Sequence, residues 1–285
     1  MLELSKYKSE TRPDWCPGCG DFGVLNALTQ AVANLNIDPK DLLVVSGIGC
    51  SSNLPGFIHA YGFHSLHGRA MPIASGAKLA NPELNVVVTG GDGDGYGIGL
   101  GHFVHAMRRN LDITYIVMNN QIYGLTTGQA SPTSAHSFVT KSTPAGNIEE
   151  PINPIAIAVV AGATYVARGF SGDPKHLTEL IQNGIKHKGF ALIDVFSPCV
   201  TWNKVNTYEY FRQKCYKFNG PDYNTSDTMQ ALLKSRESDP KIPIGLFYET
   251  QRPTYEEQDV TIKMGTPVKA PLGQPDPNSL FKEFY

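Results

Sequence analysis

The chain has 285 residues, 41% of them hydrophobic, with 24 Lys and Arg against 26 Asp and Glu, enough to fill one large α/β domain or two small ones. A net charge of −2, a pI near 6.4 and Arg108-Arg109 as the one adjacent basic pair argue against a nucleic-acid partner. The longest apolar run, residues 155–163, is far short of a membrane span, and the charged segment 1–15 lacks a signal-peptide core, so a soluble cytoplasmic protein is expected.

Val24, Leu25, Leu28, Val32 and Leu35 recur at helical spacing and predict a helix over 21–35. A strand over 42–46 and a loop over 47–52 follow. Residues 72–80 predict a small-residue helix stopped by Asn81-Pro82, 86–89 a buried strand, 98–109 a helix and 113–118 a second apolar strand. Further on come a helix over 155–161, a strand over 164–168, a helix over 175–187 and a strand over 190–196. This alternation predicts an α/β fold, a doubly wound and mostly parallel sheet with helices on both faces. Ligands of such sheets bind beyond the carboxyl ends of the strands, where the loops 47–52, 90–95, 119–128 and 197–199 converge. Residues 208–216 predict a short aromatic helix, and eight prolines then crowd the segment 220–285. One domain over 1–215 is therefore expected, with an extension over 216–285 packing on it or on a partner subunit; an unstructured end after residue 263 is the alternative.

The richest signal is Gly90-Gly91-Asp92-Gly93-Asp94-Gly95 at the end of a buried strand, with Asn119-Asn120 ending the next. Glycines let a backbone approach a phosphate closely. Asp92 and Asn120 offer the hard oxygens that Mg²⁺ takes together with substrate phosphates. The P-loop is excluded because no Gly-Lys-Ser/Thr follows, and the dinucleotide fingerprint G-x-G-x-x-G fails at every register from Gly90 to Gly101. A tight turn or weak calcium loop would account for the glycines but not for the flanking strands and the Asn pair.

Five cysteines are too few and too odd in number for a secreted disulfide framework. Cys16-Pro17-Gly18-Cys19 alone fits half a zinc site, a redox pair or half an iron-sulfur ligand set. Cys50 and Cys199 each end a core strand at the ligand edge and neither belongs to a second knuckle, which favours four thiolates around a [4Fe-4S] cluster. Cys215 is expected to be a free thiol. His59, His64 and His67 have no strand-end carboxylate beside them and are not expected to bind a transition metal.

Gly91-Asp92-Gly93 with Asn119-Asn120 resembles the diphosphate-binding domain of thiamine diphosphate (ThDP) enzymes. The resemblance implies that Asp92, the Asn120 side chain and the Ile122 carbonyl hold Mg²⁺, while Gly93, Asp94, Gly124 and Leu125 lie along the diphosphate. Together with Cys16 to Gly20, Gly47 to Ser51, Ser197 to Val200, the segments around His64 and His67, and Tyr123 to Thr133, the pattern resembles the β subunit of 2-oxoacid:ferredoxin oxidoreductases. That family implies a [4Fe-4S] cluster on Cys16, Cys19, Cys50 and Cys199, with Ile48, Gly49, Cys50, Ser51 and His67 near ThDP. It also implies coenzyme A as co-substrate, ferredoxin as electron acceptor, and no catalytic residue in this chain. The glutamate that activates ThDP sits on an α subunit, or on a fused α-γ chain, so activity needs an αβ or (αβ)₂ assembly.

Arg69 could pair with a diphosphate or a substrate carboxylate, an internal salt bridge being the alternative. Some family members have Lys in place of Asn53 and of Thr127, which makes these two further substrate candidates. The segment 203–208 is most similar to 2-oxoglutarate-type β subunits, so 2-oxoglutarate is expected before pyruvate or a broad 2-oxoacid range. A non-redox ThDP decarboxylase or synthase half and a zinc-knuckle binding module are the rival readings.

Overall fold

The computed structural model describes residues 3–218, 220, 222–271, 273, 276–282 and 284; Pro221 and Pro275, two of the prolines counted above, lie outside them. Helix α1 (Asp21–Asn34) leads into β1 (Leu42–Ser46), followed by β2 (Tyr61–His64), α2 (Ala70–Ala80), β3 (Asn85–Gly91), α3 (Leu100–Arg109) and β4 (Thr114–Asn119). Then come α4 (Pro154–Ala161), β5 (Tyr165–Phe170), α5 (Pro174–Lys186), β6 (Ala191–Phe196), α6 (Tyr208–Lys214), β7 (Cys215–Lys217), α7 (Thr228–Ser235) and β8 (Ile242–Glu249). Among the described residues the strands form one eight-stranded sheet in the order β2-β1-β3-β4-β6-β5-β8-β7.

Strands β2, β1, β3, β4, β6 and β5 pair in parallel. Apart from the edge strand β2, these strands are covered on both faces, which is why their sequences are largely apolar instead of alternating. On β4, Ile116 and Met118 join the core beneath α1 and α5, while Tyr115 and Val117 join the core beneath α2, α3 and α4. Local chemistry sets the helix ends. Asn153 Oδ1 accepts from Ala156 N at 3.1 Å to start α4, and Gly162, at φ 89°, ends it in the left-handed region.

Two elements depart from the expectation. β2 is fully exposed along its length and joins only β1; an edge strand with no buried face leaves no hydrophobic pattern to read. The larger departure concerns residues 216–285. The expected boundary at 215/216 falls inside β7, and β8 enters the sheet antiparallel to β5 and parallel to β7. Ile242, Ile244 and Phe247 of β8 are buried. The Phe247 ring is fully buried against the Phe218 ring at 4.8 Å, with the Arg168 guanidinium 5.5 Å from its centre. The sheet therefore runs on to Glu249, and Pro240 and Pro243 mark the entry to a strand, not an extension. Beyond it, buried Glu256 accepts from Asp112 N at 3.1 Å and Lys269 pairs with Glu83 at 2.7 Å.

Phe247→Ala is expected to cost about 3–5 kcal/mol of unfolding free energy, the usual penalty for emptying a buried aromatic site. Urea denaturation of the purified chain measures it; a loss below about 1 kcal/mol would mean that β8 is peripheral.

Candidate active site

Four strand-end loops meet at the carboxyl edge and enclose a cavity of about 500 Å³. Its wall includes Ile48, Gly49, Cys50 and Ser51 after β1, His67 before α2, Asp92, Gly93 and Asp94 after β3, and Asn120, Ile122, Gly124 and Leu125 after β4. Gly91, Tyr123, Thr126 and Gln129 complete it.

Asp94 holds two of these loops. Its Oδ1 accepts from the backbone N–H of Ile48 at 2.9 Å and of Gly68 at 2.7 Å. His67 Nδ1 lies 3.0 Å from the same oxygen and 3.2 Å from the Ile48 carbonyl, which leaves Nε2 to the cavity. Because the Asp94 side chain is buried and turned inward, a ligand meets this residue through its backbone. Glycine is needed where the carboxylate lies: a Cβ on Gly47 would overlap it.

Asp92 is 1% exposed, and its Oδ2 accepts from Ser131 Oγ at 2.5 Å and Thr133 Oγ1 at 2.6 Å. Burial pushes its carboxyl up to about 6, against the pull of these two hydroxyls. After β4, Gln121 adopts a left-handed φ of 57° and folds the chain so that Ile122 N–H donates to Asn120 Oδ1 at 3.1 Å. Asn203 Nδ2 fastens the Asn120 carbonyl from the far loop at 3.0 Å. A carboxylate and an amide oxygen thus face one cavity, a donor set that suits Mg²⁺ with phosphate completing the shell.

Cys16 is exposed, while Cys19, Cys50 and Cys199 are half-buried, all as free thiols. Their loops are tied together. Gly20 N–H donates to the Pro198 carbonyl at 3.1 Å, Trp15 Nε1 donates to the Cys50 carbonyl at 2.6 Å, and Ser197 Oγ donates to Asp21 Oδ1 at 2.7 Å. A Cβ on Gly20 would strike Ser197 and Pro198. Burial raises the Cys19 thiol and pushes Cys50 up to about 11, with the charge of Asp21 and the neighbouring thiols adding to both. Among the described residues no three of His, Cys, Asp and Glu converge tightly enough for a single ion. Charge coupling links Cys19, Cys50 and Cys199 to one another and Cys50 to Cys16, a grouping of soft donors of the kind an iron-sulfur cluster takes.

A family of thiamine pyrophosphate (ThDP) enzymes, defined by the C-terminal TPP-binding domain, matches residues 47–195. The C-terminal family of pyruvate ferredoxin oxidoreductase β subunits matches 199–263. The chain is 52% identical over 258 residues to the 2-oxoacid:ferredoxin oxidoreductase subunit beta of Saccharolobus solfataricus, covering 86% of this chain and 85% of that one. The chain belongs to the β subunits of the 2-oxoacid:ferredoxin oxidoreductases. It is 40% identical to the 2-oxoglutarate synthase subunit KorB of Methanocaldococcus jannaschii, over 90% of this chain and 96% of that one. A solved 2-oxoglutarate:ferredoxin oxidoreductase from Magnetococcus marinus, with 2-oxoglutarate, coenzyme A and succinyl-CoA bound, superposes at a TM-score of 0.91. That chain is 43% identical, and the match covers 99% of this chain and 96% of it. This β subunit is therefore part of an oxidoreductase complex built on the ThDP-binding fold, and a β subunit implies an α partner.

Three candidates stand apart from the cavity of this β subunit. Asn53 lines a separate hollow with Asp14 and His64 and reaches Asp14 at 3.4 Å. Arg69 Nη1 donates to the Gly68 carbonyl at 3.2 Å, and Thr127 is exposed at φ 76° while its neighbour Thr126 lines the wall. Spacing along the loops did not reveal which side chains turn inward. In the sequence Asn119 stands out only as part of the Asn pair, and Ser131 and Thr133 only as part of the segment 123–133, without their roles behind the wall; for Asp194 the one cue is an aspartate inside the apolar run Ala191–Phe196. Among the described residues no helix is long and apolar enough to cross a membrane.

Gly47→Ala is expected to displace the Asp94 carboxylate and cost about 1–3 kcal/mol. Denaturant unfolding together with faster proteolysis across residues 47–57 would register it, and an unchanged variant would remove Asp94 as the clamp.

Proposed function

We propose that this β subunit binds ThDP in the 500 Å³ cavity through Mg²⁺ held by Asp92, Asn120 and the Ile122 carbonyl, and carries a [4Fe-4S] cluster on Cys16, Cys19, Cys50 and Cys199. With its α subunit it converts 2-oxoglutarate and coenzyme A to succinyl-CoA and CO₂ and passes the electrons to ferredoxin. The observation that carries this reading is a shared wall. Cys50 lines the same cavity as Asp92 and Asn120. A Cβ on cavity residue Gly124 would lie 3.6 Å from Cys199 Sγ and 3.8 Å from Cys50 Sγ.

ThDP, when bound, supplies the electron sink for cleaving the bond to a 2-oxoacid's carboxylate. The chain's own residues hold and orient. Asp92 and Asn120 present hard oxygens, Gly93, where a Cβ would overlap the Tyr123 ring, presents its backbone, and His67 offers Nε2 because Asp94 and Ile48 engage Nδ1. Ile122, 3% exposed, closes the apolar side. Among the likenesses, the Magnetococcus enzyme with its bound 2-oxoglutarate and coenzyme A and the KorB relative support 2-oxoglutarate as substrate. A broad 2-oxoacid range is the second reading, favoured by the 52% identical Saccharolobus relative, whose name specifies no single acid.

The test is co-expression with an α subunit under anaerobic conditions. The assembly should hold iron and acid-labile sulfide and reduce a viologen dye with 2-oxoglutarate at a kcat/KM about tenfold or more above that for pyruvate. A colourless, iron-free but active complex would sink the redox assignment. Asp92→Ala is expected to abolish magnesium-dependent ThDP binding while leaving the visible absorbance of the cluster in place.

A pH dependence follows from the raised Asp92 carboxyl. A cation binds the carboxylate only, so below about 6 Mg²⁺ must displace a proton. Calorimetric affinity for Mg²⁺ with ThDP should fall by up to about tenfold per pH unit below about 6 and level off above about 7; affinity that holds steady down to about pH 5 contradicts this.

A further inference from the structure

Behind the cavity, the connection whose earlier residues, Asn120 to Gln129, help build the wall supplies two hydroxyls to one oxygen of Asp92. Ser131 and Thr133 are each 4% exposed, and neither lines the cavity. Ser131 Oγ reaches Asp92 Oδ2 at 2.5 Å and Thr133 Oγ1 reaches the same oxygen at 2.6 Å. We infer that Ser131 and Thr133 are positioning residues for the magnesium ligand: they hold Asp92 Oδ2 and so set the direction in which the carboxylate faces the cation. This rests on the magnesium assignment proposed above.

The loop is built to keep those hydroxyls in place. Ser131 N–H donates to Ser134 Oγ at 2.8 Å, and Ser134 Oγ donates to the Gln121 carbonyl at 2.7 Å. Ile152 N–H donates to the Pro132 carbonyl at 3.0 Å. The loop is thereby fastened to the turn that carries Asn120 and Ile122.

A second anchor comes from the sheet. Thr133 Oγ1 lies 2.9 Å from Asn119 Oδ1, and Asn119 Nδ2 donates to Asp194 Oδ1 at 3.0 Å. Asp194 is fully buried and also accepts from Tyr96 at 3.1 Å and from Arg168 Nε at 3.0 Å. Asp194 accepts from the Asn119 amide N–H, which turns the amide oxygen toward Thr133, and the single Thr133 hydroxyl proton is shared between Asp92 Oδ2 and Asn119 Oδ1. Buried ion pairs of this kind contribute little net stability compared with apolar packing. What this one supplies to the site is direction, passed from Asp194 through Asn119 to Thr133. Outer-shell partners of ligating carboxylates act in this way, and their loss costs about ten- to a hundredfold in metal affinity.

The test compares Thr133→Val, which keeps the shape and removes the hydroxyl, with Thr133→Ser, which restores it, in the αβ complex. The readouts are the Mg²⁺ concentration that half-saturates ThDP binding, kcat at saturating Mg²⁺, cluster absorbance and melting temperature. Thr133→Val should raise the half-saturating Mg²⁺ about tenfold or more, with kcat recovered at high Mg²⁺ and the cluster spectrum unchanged; Thr133→Ser should return it to within about threefold of wild type. Ser131→Ala, which removes the other hydroxyl, should move it in the same direction and serves if Thr133→Val does not fold. A purely structural role predicts a lower melting temperature with unchanged half-saturation, and that result overturns the inference. Wild-type complex whose ThDP binding ignores Mg²⁺ would overturn the magnesium assignment itself, and this inference with it.

Discussion

One buried carboxylate makes the cavity possible. Asp94 Oδ1 takes two backbone N–H groups, from Ile48 and Gly68, and lies beside His67. These donors sit at the end of β1 and before α2, so a single side chain leaving β3 pins both to it. Backbone donors buried without a partner would be costly; here they serve as the fastening. Gly47 and Gly90 leave the space the carboxylate needs, which gives the glycines around the site a steric purpose separate from phosphate approach.

The cavity so formed has two chemically different sides. Asp92 and Asn120 bring hard oxygens to its wall, while the thiols of Cys50 and Cys199 lie behind Gly124. The two sides share the loops after β1 and β4, so any shift in one is felt in the other. Asn203 reaching the Asn120 carbonyl and Trp15 reaching the Cys50 carbonyl tie the thiol-bearing segments to the same frame. The proposed cluster beside the cavity would require such a frame, since displacements of about 1 Å already cost heavily in catalysis.

Much of the fold was legible because parallel strands buried on both faces are apolar throughout. The runs 42–46, 86–89, 113–118 and 190–196 all became strands of the sheet. β2 was not legible because all four of its residues are exposed. β8 was hidden by prolines at 240 and 243, although its side chains pack a core with Arg168 and Phe218. Which loop side chains turn inward was equally hidden: Thr126 lines the wall and Thr127 does not, because a left-handed φ at Thr127 reverses the direction that simple spacing suggests.

By itself the sequence determined the chemistry on offer: a Gly-Asp-Gly turn, an Asn pair and four cysteines, two in a knuckle before the first helix and two past strand ends, the residue types needed for a cation, a diphosphate and soft-metal ligation. These are local properties, carried by glycine geometry and by the hardness or softness of donor atoms, so they survive without coordinates. Only the tertiary structure decided that the cavity includes Cys50 but not Asn53 or Arg69, and that Asp94 clamps loops while Asp92 is held from behind by Ser131 and Thr133. It also brought Asp194 on β6 into line with Asn119, Thr133 and Asp92. Those outcomes depend on crossovers that place β3, β4 and β6 side by side, and on hydrogen bonds such as that between Asn119 and Asp194, 75 positions apart, which no pattern along one segment contains.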